Sequence, residues 1–195
     1  MEVGVPSGRE ARPTTKVELP VDARTRLRAP TDADAAPLFA IIDANRAHLR
    51  EWLPWVDGVT EPADTANFLR GVNERNALGT SLEFVIEHAG ELAGCAGFRV
   101  IERGNRSGEI GYWLRADRGG RGIMTACCRA LVAHGFDKLD LNRIAIAAAT
   151  GNARSRAIPE RLGFRFEGVL RQPEWLYDRF VDHAVYSLLR SERPA

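Results

Sequence analysis

The sequence predicts a single α/β domain, and three observations lead to this prediction. The chain has 195 residues, which is the size of one ordinary domain rather than two. Segments with the apolar spacing of a helix alternate with short segments of strand-like composition. One turn between a predicted strand and a predicted helix contains three glycines within four residues. Such a glycine-rich turn is common where a strand leads into a helix in this fold class.

An edge strand and two helices are predicted first along the chain. In residues 24–29 arginines alternate with a leucine before Pro30, which indicates an edge strand. Thr31 and Asp32 offer N-caps for a helix whose apolar residues recur at helical spacing. A second helix opens at a Thr-Glu-Pro sequence ending in Pro62, because proline is well accommodated in the first helical turn.

An antiparallel meander and the rest of the sheet follow. Three strands joined by short turns are predicted at residues 82–87, 92–101 and 109–114. A helix with an apolar stripe then ends near Gly135. The run RIAIAAA from Arg143 is too short and too uniformly apolar for a surface helix, so it is predicted as a buried strand. Asn152 opens the last helix, and strands at 164–170 and 181–189 complete a total of seven.

The N-terminal segment is predicted to form a disordered leader over residues 1–22, with the domain at residues 23–190. The leader is polar, contains proline and glycine, and has no apolar periodicity. It lacks the continuous apolar core of a secretory signal, and the chain has no apolar run of about 18 residues. We therefore expect a soluble cytoplasmic protein without a membrane partner.

Charge and side-chain chemistry exclude several classes of function. Lys and Arg total 27 against 26 Asp and Glu, so the net charge of +1 creates no general attraction for nucleic acid or an anionic membrane. The three cysteines include the adjacent pair Cys127 and Cys128, which does not suit a disulfide framework, so all are interpreted as reduced thiols. The four histidines lack metal-ligand spacing, and no metal is predicted.

The glycine-rich turn ADRGGRGIMT is a candidate phosphate-binding loop. Its backbone N–H groups and the positive end of the following helix converge on one point, which suits a pyrophosphate. A simple strand-to-helix turn has the same pattern, so the loop alone does not decide. A P-loop requires Gly-Lys-Ser/Thr, whereas Gly122 is followed by Ile123, and a dinucleotide fingerprint requires glycine where Thr125 stands. Both nucleotide-binding alternatives are therefore disfavoured.

Longer segments resemble a known family. The stretch EIGYWLRADRGGRGIMTACCRAL resembles the acetyl-CoA motif of the GNAT N-acetyltransferase superfamily, and NARSRAIPERLGFRFEGVLRQPEW resembles its downstream motif. With FVDHAVYSLL, the resemblance is closest to the Rim-type branch of ribosomal-protein Ser/Ala N-terminal acetyltransferases, and it covers residues 24–190. It implies the GNAT fold, in which a mixed, mostly antiparallel seven-stranded sheet is splayed in the middle, flanked by about four helices, and binds acetyl-CoA in the splay.

The resemblance also implies which residues bind acetyl-CoA. The strand residues that would flank the pantetheine and the thioester are Tyr112, Trp113 and Leu114. Their backbone N–H groups are candidate donors to the thioester oxygen. The loop residues that would hold the pyrophosphate are Gly120, Arg121, Gly122, Ile123, Met124 and Thr125. This chain departs from the family at Gly119, where Gln or Arg is common, and carries Arg118 one residue earlier.

Three polar residues are candidates for the chemistry. Asn152 and Ser155 are suited to capping a helix, whereas the resemblance implies that Asn152 bonds to the cofactor and Ser155 protonates the departing thiolate. Pro159 lies four residues after Ser155 and cannot donate to its carbonyl, so a kink or an early helix end is expected. Glu174 is either an isolated surface carboxylate or, as the resemblance implies, the base that deprotonates an acceptor amine. No nucleophile with a dedicated base is visible, which favours direct attack in a ternary complex.

The acceptor site is the least defined part of the prediction. Trp52 and Trp55 bracket Pro54 and either belong to the core or, as the resemblance implies, line the acceptor site, to which Trp175 is also assigned. The favoured acceptor is a protein N-terminal α-amino group, with a small amine such as an antibiotic, a polyamine or an aminoacyl nucleotide as the alternative. A CoA-binding regulatory module without turnover is the third hypothesis. A homodimer is expected from the relatives.

Overall fold

The strands form one mixed sheet in the computed structural model, which describes residues 17–193. Within these residues the sheet has eight strands in the order β1-β2-β3-β4-β5-β6-β8-β7. The strands are β1 (Glu18–Pro20), β2 (Thr25–Arg28), β3 (Leu82–His88), β4 (Glu91–Glu102), β5 (Ser107–Leu114), β6 (Arg143–Ala149), β7 (Arg165–Leu176) and β8 (Arg179–Leu189). Only β5 and β6 are parallel among these described neighbours, so the predicted mixed, mostly antiparallel sheet is confirmed.

Helices cover both faces of the sheet. They are α1 (Ala35–Ala44), α2 (Arg46–Arg50), α3 (Pro62–Leu78), α4 (Ile123–Asp137) and α5 (Ala153–Arg161). One apolar cluster joins the sheet to α4 and α5, and a second joins α1, α2 and α3 to it. Side chains alternate between the faces of a strand, so Tyr112 packs with the first cluster and Trp113 with the second. Adjacent residues of β5 thus pack against helices on opposite faces of the sheet.

The sheet divides between its two parallel strands. β5 and β6 pair only from Ser107 to Glu109 and from Arg143 to Ala145. Beyond this point β5 pairs with β4 alone and β6 with β8 alone. The predicted splay is therefore present, and it separates residues 110–114 from residues 146–149.

The structure has one strand and one helix more than the sequence predicts. The additional strand β1 lies inside the predicted leader and pairs with β2, and Leu19 packs against the core. Three residues are too few to show the alternation of a strand, and this strand forms only because it pairs with β2. The rest of the leader, residues 1–16, lies outside the described residues.

The additional helix arises because Asn45 divides the predicted first helix into α1 and α2. Its side chain donates to the carbonyl of Ile41 at 2.8 Å and accepts from the N–H of Ala116 at 2.9 Å. A side chain that bonds to nearby backbone groups competes with the helix, which explains the division. In the part of the chain that is described, no helix is long and apolar enough to cross a membrane.

Candidate active site

A cavity of about 870 Å³ opens at the splay of the sheet. Both separated strands contribute to its wall, with residues 109–113 from β5 and 147–149 from β6. Besides Glu174, six residues that the sequence predicts for the site line it: Trp52, Trp55, Tyr112, Trp113, Asn152 and Ser155. Glu174 lines it as well, joined by His183, which the sequence did not assign to the chemistry. Residues from widely separated parts of the chain therefore meet in one space.

The glycine loop has the geometry of an anion-binding turn. Gly120 and Gly122 have φ angles of 74° and 77°, a region in which residues with a side chain are strained. A Cβ at either position would meet no protein atom within 4 Å, so their backbone conformation, rather than packing, requires glycine. The first bond into α4 runs from the N–H of Ala126 to the carbonyl of Gly122. The N–H groups of residues 120–125 have no acceptor within residues 17–193 and are available at the positive end of α4.

Asn152 caps α5, which is one of the two roles that the sequence left open, and both Asn152 and Ser155 line the cavity. The Oδ1 atom of Asn152 accepts from the N–H of Ser155 at 3.1 Å, so it caps α5. Its Nδ2 group makes no hydrogen bond to another residue of the described chain, and the residue lines the cavity. Capping therefore uses one end of the amide and leaves the other for a bound molecule.

Tyr112 contacts Ser155 through two hydrogen bonds. Because Pro159 has no N–H, the carbonyl of Ser155 lacks its helical donor, and α5 ends two residues after the proline, as predicted. The hydroxyl of Tyr112 lies 3.2 Å from this carbonyl oxygen and 3.0 Å from Ser155 Oγ. Burial raises the pKa of Tyr112, so the hydroxyl remains a donor at neutral pH. The single proton of this hydroxyl can go to either oxygen: when Tyr112 donates to the carbonyl it accepts from Ser155 Oγ, and when it turns to Oγ it donates to the serine oxygen.

We expect Tyr112→Phe to lower kcat about threefold to tenfold and stability by about 1 kcal/mol, because it removes one buried donor. Tyr186→Phe is the matched control, since the Tyr186 hydroxyl bonds to Arg156 and Glu160 on the same helix, away from Ser155. The control should lose similar stability and retain kcat. Equal effects of the two substitutions on kcat would show that Tyr112 acts only through the stability of α5.

Glu174 is held beside a histidine on the wall of the cavity. Its Oε2 atom lies 3.2 Å from Nε2 of His183, and the two side chains are 30% and 18% exposed. A carboxylate oxygen accepts hydrogen bonds, and in the tautomer that carries its proton on Nε2 the imidazole of His183 donates to it. Glu174 therefore has a partner and is not an isolated surface carboxylate, which was one of the two alternatives from the sequence.

An aromatic segment forms the opposite wall. Trp52 and Trp55 both line the cavity, and the Trp55 ring lies 6.1 Å from that of Trp113. The turn between β7 and β8 reaches this segment, where Tyr177 donates to the carbonyl of Leu53 at 2.6 Å. This bond ties the wall that carries Glu174 to the wall that carries the tryptophans.

Other predicted site residues lie away from the cavity. Leu114 and the loop residues 120–125 do not line it, although the loop follows directly from the strand that does. Trp175 does not line the cavity either: neighbouring side chains of a strand point to opposite faces, so beside Glu174 it turns away. It is 53% exposed and packs edge-to-face on Phe180, with the ring centroids 4.8 Å apart. The structure thus gives no support for its assignment to the acceptor site.

The thiols do not provide a nucleophile. Cys127 and Cys128 are buried in the core, and burial raises the pKa of Cys127 to about 12. Cys95 lines the cavity, but desolvation raises its pKa as well. Because the thiolate is the reactive form, these groups are unreactive near neutral pH. The geometry thus favours direct transfer over a covalent intermediate.

Comparisons with known proteins agree with this geometry. The family described as the acetyltransferase (GNAT) domain matches residues 24–165. The chain belongs to the GNAT acetyltransferase family. It is 32% identical to the ribosomal-protein-serine acetyltransferase of Escherichia coli, over 86% of this chain and 93% of that protein. The resemblance to the Rim-type branch of the GNAT family is therefore confirmed.

Two solved Rim structures share the fold of this GNAT chain. RimL, a ribosomal-protein α-N-acetyltransferase solved with coenzyme A, is 29% identical, with a TM-score of 0.86 and coverage of 89% of this chain and 98% of the other. Mycobacterium smegmatis RimJ, solved with a CoA disulfide, is 30% identical, with a TM-score of 0.83 and coverage of 88% and 84%. The predicted GNAT fold class is confirmed, and the chain is an N-acetyltransferase by family.

Two functional contacts escaped the sequence interpretation. Pro159 correctly indicated a free carbonyl at Ser155, but nothing in the sequence identified Tyr112, which lies 43 positions away, as its donor. The sequence interpretation assigned His183 no part in the chemistry, whereas its side chain contacts Glu174. Contacts of this kind depend on strand register, which a local pattern does not encode.

Proposed function

We propose that this GNAT enzyme transfers acetyl from acetyl-CoA to the α-amino group of a protein N-terminus, of the ribosomal-protein type. The observation that carries the proposal is the meeting of Ser155 and Glu174 in one cavity at the splay of the sheet. The two residues approach from different sides, Ser155 on α5 and Glu174 on β7. The cavity thereby combines a group suited to protonate a leaving group, Ser155, with a group suited to deprotonate an amine, Glu174.

The residues around the splay suit acetyl-CoA. The free N–H groups of residues 120–125 and the N-terminus of α4 suit its diphosphate, and the amide of Asn152 suits the pantetheine. The open edges of β5 and β6 leave space between them for an extended chain. Acetyl-CoA supplies an activated acetyl group as a thioester. The CoA-bound RimL and RimJ structures support this assignment.

Glu174 and Ser155 complete the proton balance of the transfer. An α-ammonium group has a pKa of about 8, so most acceptors are protonated near neutral pH and must first lose a proton. Glu174 receives that proton, which frees the nitrogen lone pair for attack on the acetyl carbon. A C–N bond forms, the C–S bond breaks, and Ser155 donates its proton to the sulfur. The nitrogen then loses the second proton that the amide does not keep, and this proton returns Ser155 to its neutral form. Tyr112 stabilises the serine oxygen as the proton leaves.

The acceptor is assigned from the relatives and from the shape of the cavity. The E. coli relative carries the name ribosomal-protein-serine acetyltransferase, and RimL is named as an α-N-acetyltransferase. Trp52 and Trp55 provide apolar surface in the same cavity as Glu174, which suits the first residues of an extended peptide. We accordingly place the reaction in the cytoplasm, where ribosomal proteins are synthesised.

An acceptor screen tests this function. Release of CoA is measured with peptides that begin with serine or alanine, with the same peptides blocked at the N-terminus, and with a panel of small amines. We expect turnover with the free peptides alone, and mass spectrometry should place the acetyl group on the α-nitrogen. Turnover only with small amines would replace the proposed acceptor. Tight binding of CoA without any turnover would indicate a regulatory module instead.

We also propose that the enzyme forms a homodimer through the hairpin of β7 and β8. β7 is the last strand of the described sheet, and exposed strand edges readily pair with another chain. The hairpin also exposes five large apolar side chains: Phe166, Val169, Leu170, Trp175 and Phe180. Such a patch is typical of an interface.

For this dimer we expect light scattering to give twice the chain mass of 21.5 kDa. Trp175→Arg should shift the protein towards the monomer, since it places a charge within the apolar patch. Leu78→Arg is the control, because Leu78 is 72% exposed at the end of α3, away from the hairpin. A monomeric wild type would contradict the proposal.

A further inference from the structure

We infer that Asp182 and His183, adjacent residues of β8, act as positioning residues for Glu174. Asp182 bonds to a bulge in the backbone of β7, and His183 bonds to the carboxylate of Glu174 itself. This inference rests on the proposed function, since it assumes that Glu174 accepts the proton of the acceptor. Neither Asp182 nor His183 exchanges a proton in the proposed reaction, so the inference gives this pair a separate role.

The bulge determines where Glu174 lies along the hairpin. Leu170 is opposite His183, but three residues of β7 then stand opposite Asp182 alone before pairing resumes at Glu174. In an uninterrupted ladder Glu174 would lie opposite Arg179. The bulge instead moves it two residues closer to His183, which is about 7 Å at the usual rise of a strand. Bulges that re-aim a side chain in this way are common beside active sites.

Asp182 satisfies the strained part of the bulge. Gln172 has a φ of 52°, a conformation that costs about 1 kcal/mol or more in a residue other than glycine. As a bulged residue it has no partner in the ladder, and its N–H donates instead to Asp182 Oδ1 at 2.8 Å. The carboxylate therefore offsets the cost of the conformation on which the position of Glu174 depends.

Asp182 also connects the two halves of the site through its main chain. Its carbonyl accepts from the N–H of Thr150 at 2.9 Å. Thr150 precedes Asn152, which caps the helix that carries Ser155. One residue thus holds both the bulge that places the base and the turn that places the acid. A change at Asp182 should alter their separation.

His183 then restricts the carboxylate. Cross-strand neighbours on a diagonal are within reach of long side chains, and Glu174 stands diagonally from His183 because of the bulge. The 3.2 Å contact between Nε2 and Oε2 selects one orientation of a flexible side chain. A base that is held in the reactive orientation can raise the rate of the reaction by a large factor.

The first experiment compares Asp182→Ala with Asp182→Asn in the full-length enzyme. We expect Asp182→Ala to lower kcat about tenfold while the KM for acetyl-CoA changes by less than about twofold. Asp182→Asn should retain most activity, because its Oδ1 still accepts from Gln172. Adding Gln172→Gly to Asp182→Ala should restore part of kcat, since glycine adopts the positive φ without strain. If Asp182→Ala kept a kcat within about twofold of the wild type, the role of Asp182 would be overturned.

The second experiment compares His183→Leu with His183→Gln. The amide nitrogen of glutamine can occupy the position of Nε2 and donate to Glu174, whereas leucine cannot. We expect a loss of about tenfold in kcat for leucine and recovery of most of it for glutamine. Equal losses in both variants would overturn the role of His183 in orienting Glu174. Asp178→Ala is the control for both series, since Asp178 lies at the turn of the same hairpin and its side chain bonds only to Arg179 among the described residues.

A readout independent of turnover separates this inference from the proposed function. Hydrogen exchange of the Gln172 amide should be slow in the wild type and in Asp182→Asn, and fast in Asp182→Ala. If the wild type showed no turnover, the proposed function would be contradicted. The comparison of hydrogen exchange among the three proteins would still test the bond between Asp182 and the bulge. Unchanged exchange in Asp182→Ala would contradict the bond between Asp182 and the bulge, whatever the activity of the enzyme.

Discussion

Glu174→Gln should lower kcat by a factor of about 10² to 10⁴ near neutral pH and leave the affinity for acetyl-CoA unchanged. Glutamine keeps the size of the side chain but cannot accept the proton of the acceptor, and general-base catalysis typically contributes a factor of this size. Because the base acts on the acceptor rather than on the cofactor, the effect should appear in kcat and not in binding. Stopped-flow release of CoA and calorimetry with acetyl-CoA measure the two quantities.

The pH dependence provides a second test of this role. Above a pH of about 8 the α-amine is increasingly unprotonated without help, so the difference between Glu174→Gln and the wild type should narrow. Glu51→Gln is the matched control, since Glu51 is exposed beside Trp52 and makes no side-chain hydrogen bond within the described chain. It should behave as the wild type. A Glu174→Gln enzyme with normal kcat at neutral pH would remove Glu174 from the chemistry.

Gly122→Val should weaken the affinity for CoA by about a hundredfold or more, which corresponds to about 2.7 kcal/mol. Gly122 has a φ of 77°, where a β-branched residue is strongly disfavoured, so the loop must leave the conformation that aligns its N–H groups. The loss should therefore affect the diphosphate contacts directly. Isothermal titration with CoA measures the change.

Gly163→Ala is the control for strain alone. Gly163 has a similar φ of 80°, follows α5 at the end opposite Asn152, and has open space around it. Its substitution should lower stability by about 1 kcal/mol without weakening CoA binding. If Gly122→Val bound CoA as the wild type does, the assignment of this loop to the diphosphate would be incorrect.

The features that were predicted correctly are those that a few neighbouring residues encode. The glycines of the loop are needed for backbone conformations that other residues rarely adopt, so the sequence indicates the turn directly. Pro159 indicated an unbonded carbonyl at Ser155, because the ring removes the donor wherever the helix lies. Alternation and periodicity located the longer strands and helices in the same way.

The features that were missed depend on partners far away in the chain. Trp175 was assigned to the acceptor site together with Trp52 and Trp55, but its side chain and that of its neighbour Glu174 point to opposite faces of the strand. The short strand β1 needs β2 beside it before its three residues form an element. Tyr112 and His183 acquired their roles only when strand register and a bulge brought them to Ser155 and Glu174.

By itself the sequence determined the class of the fold and the turn of the glycine loop, and through the family motifs it indicated candidate residues for the transfer. These follow from local backbone preferences and from motifs that each lie within a short stretch of chain. Only the tertiary structure decided which groups share the cavity and how Glu174 is held. Those contacts arise from pairing between distant strands, where an irregularity of two residues in β7 moves a side chain by about 7 Å.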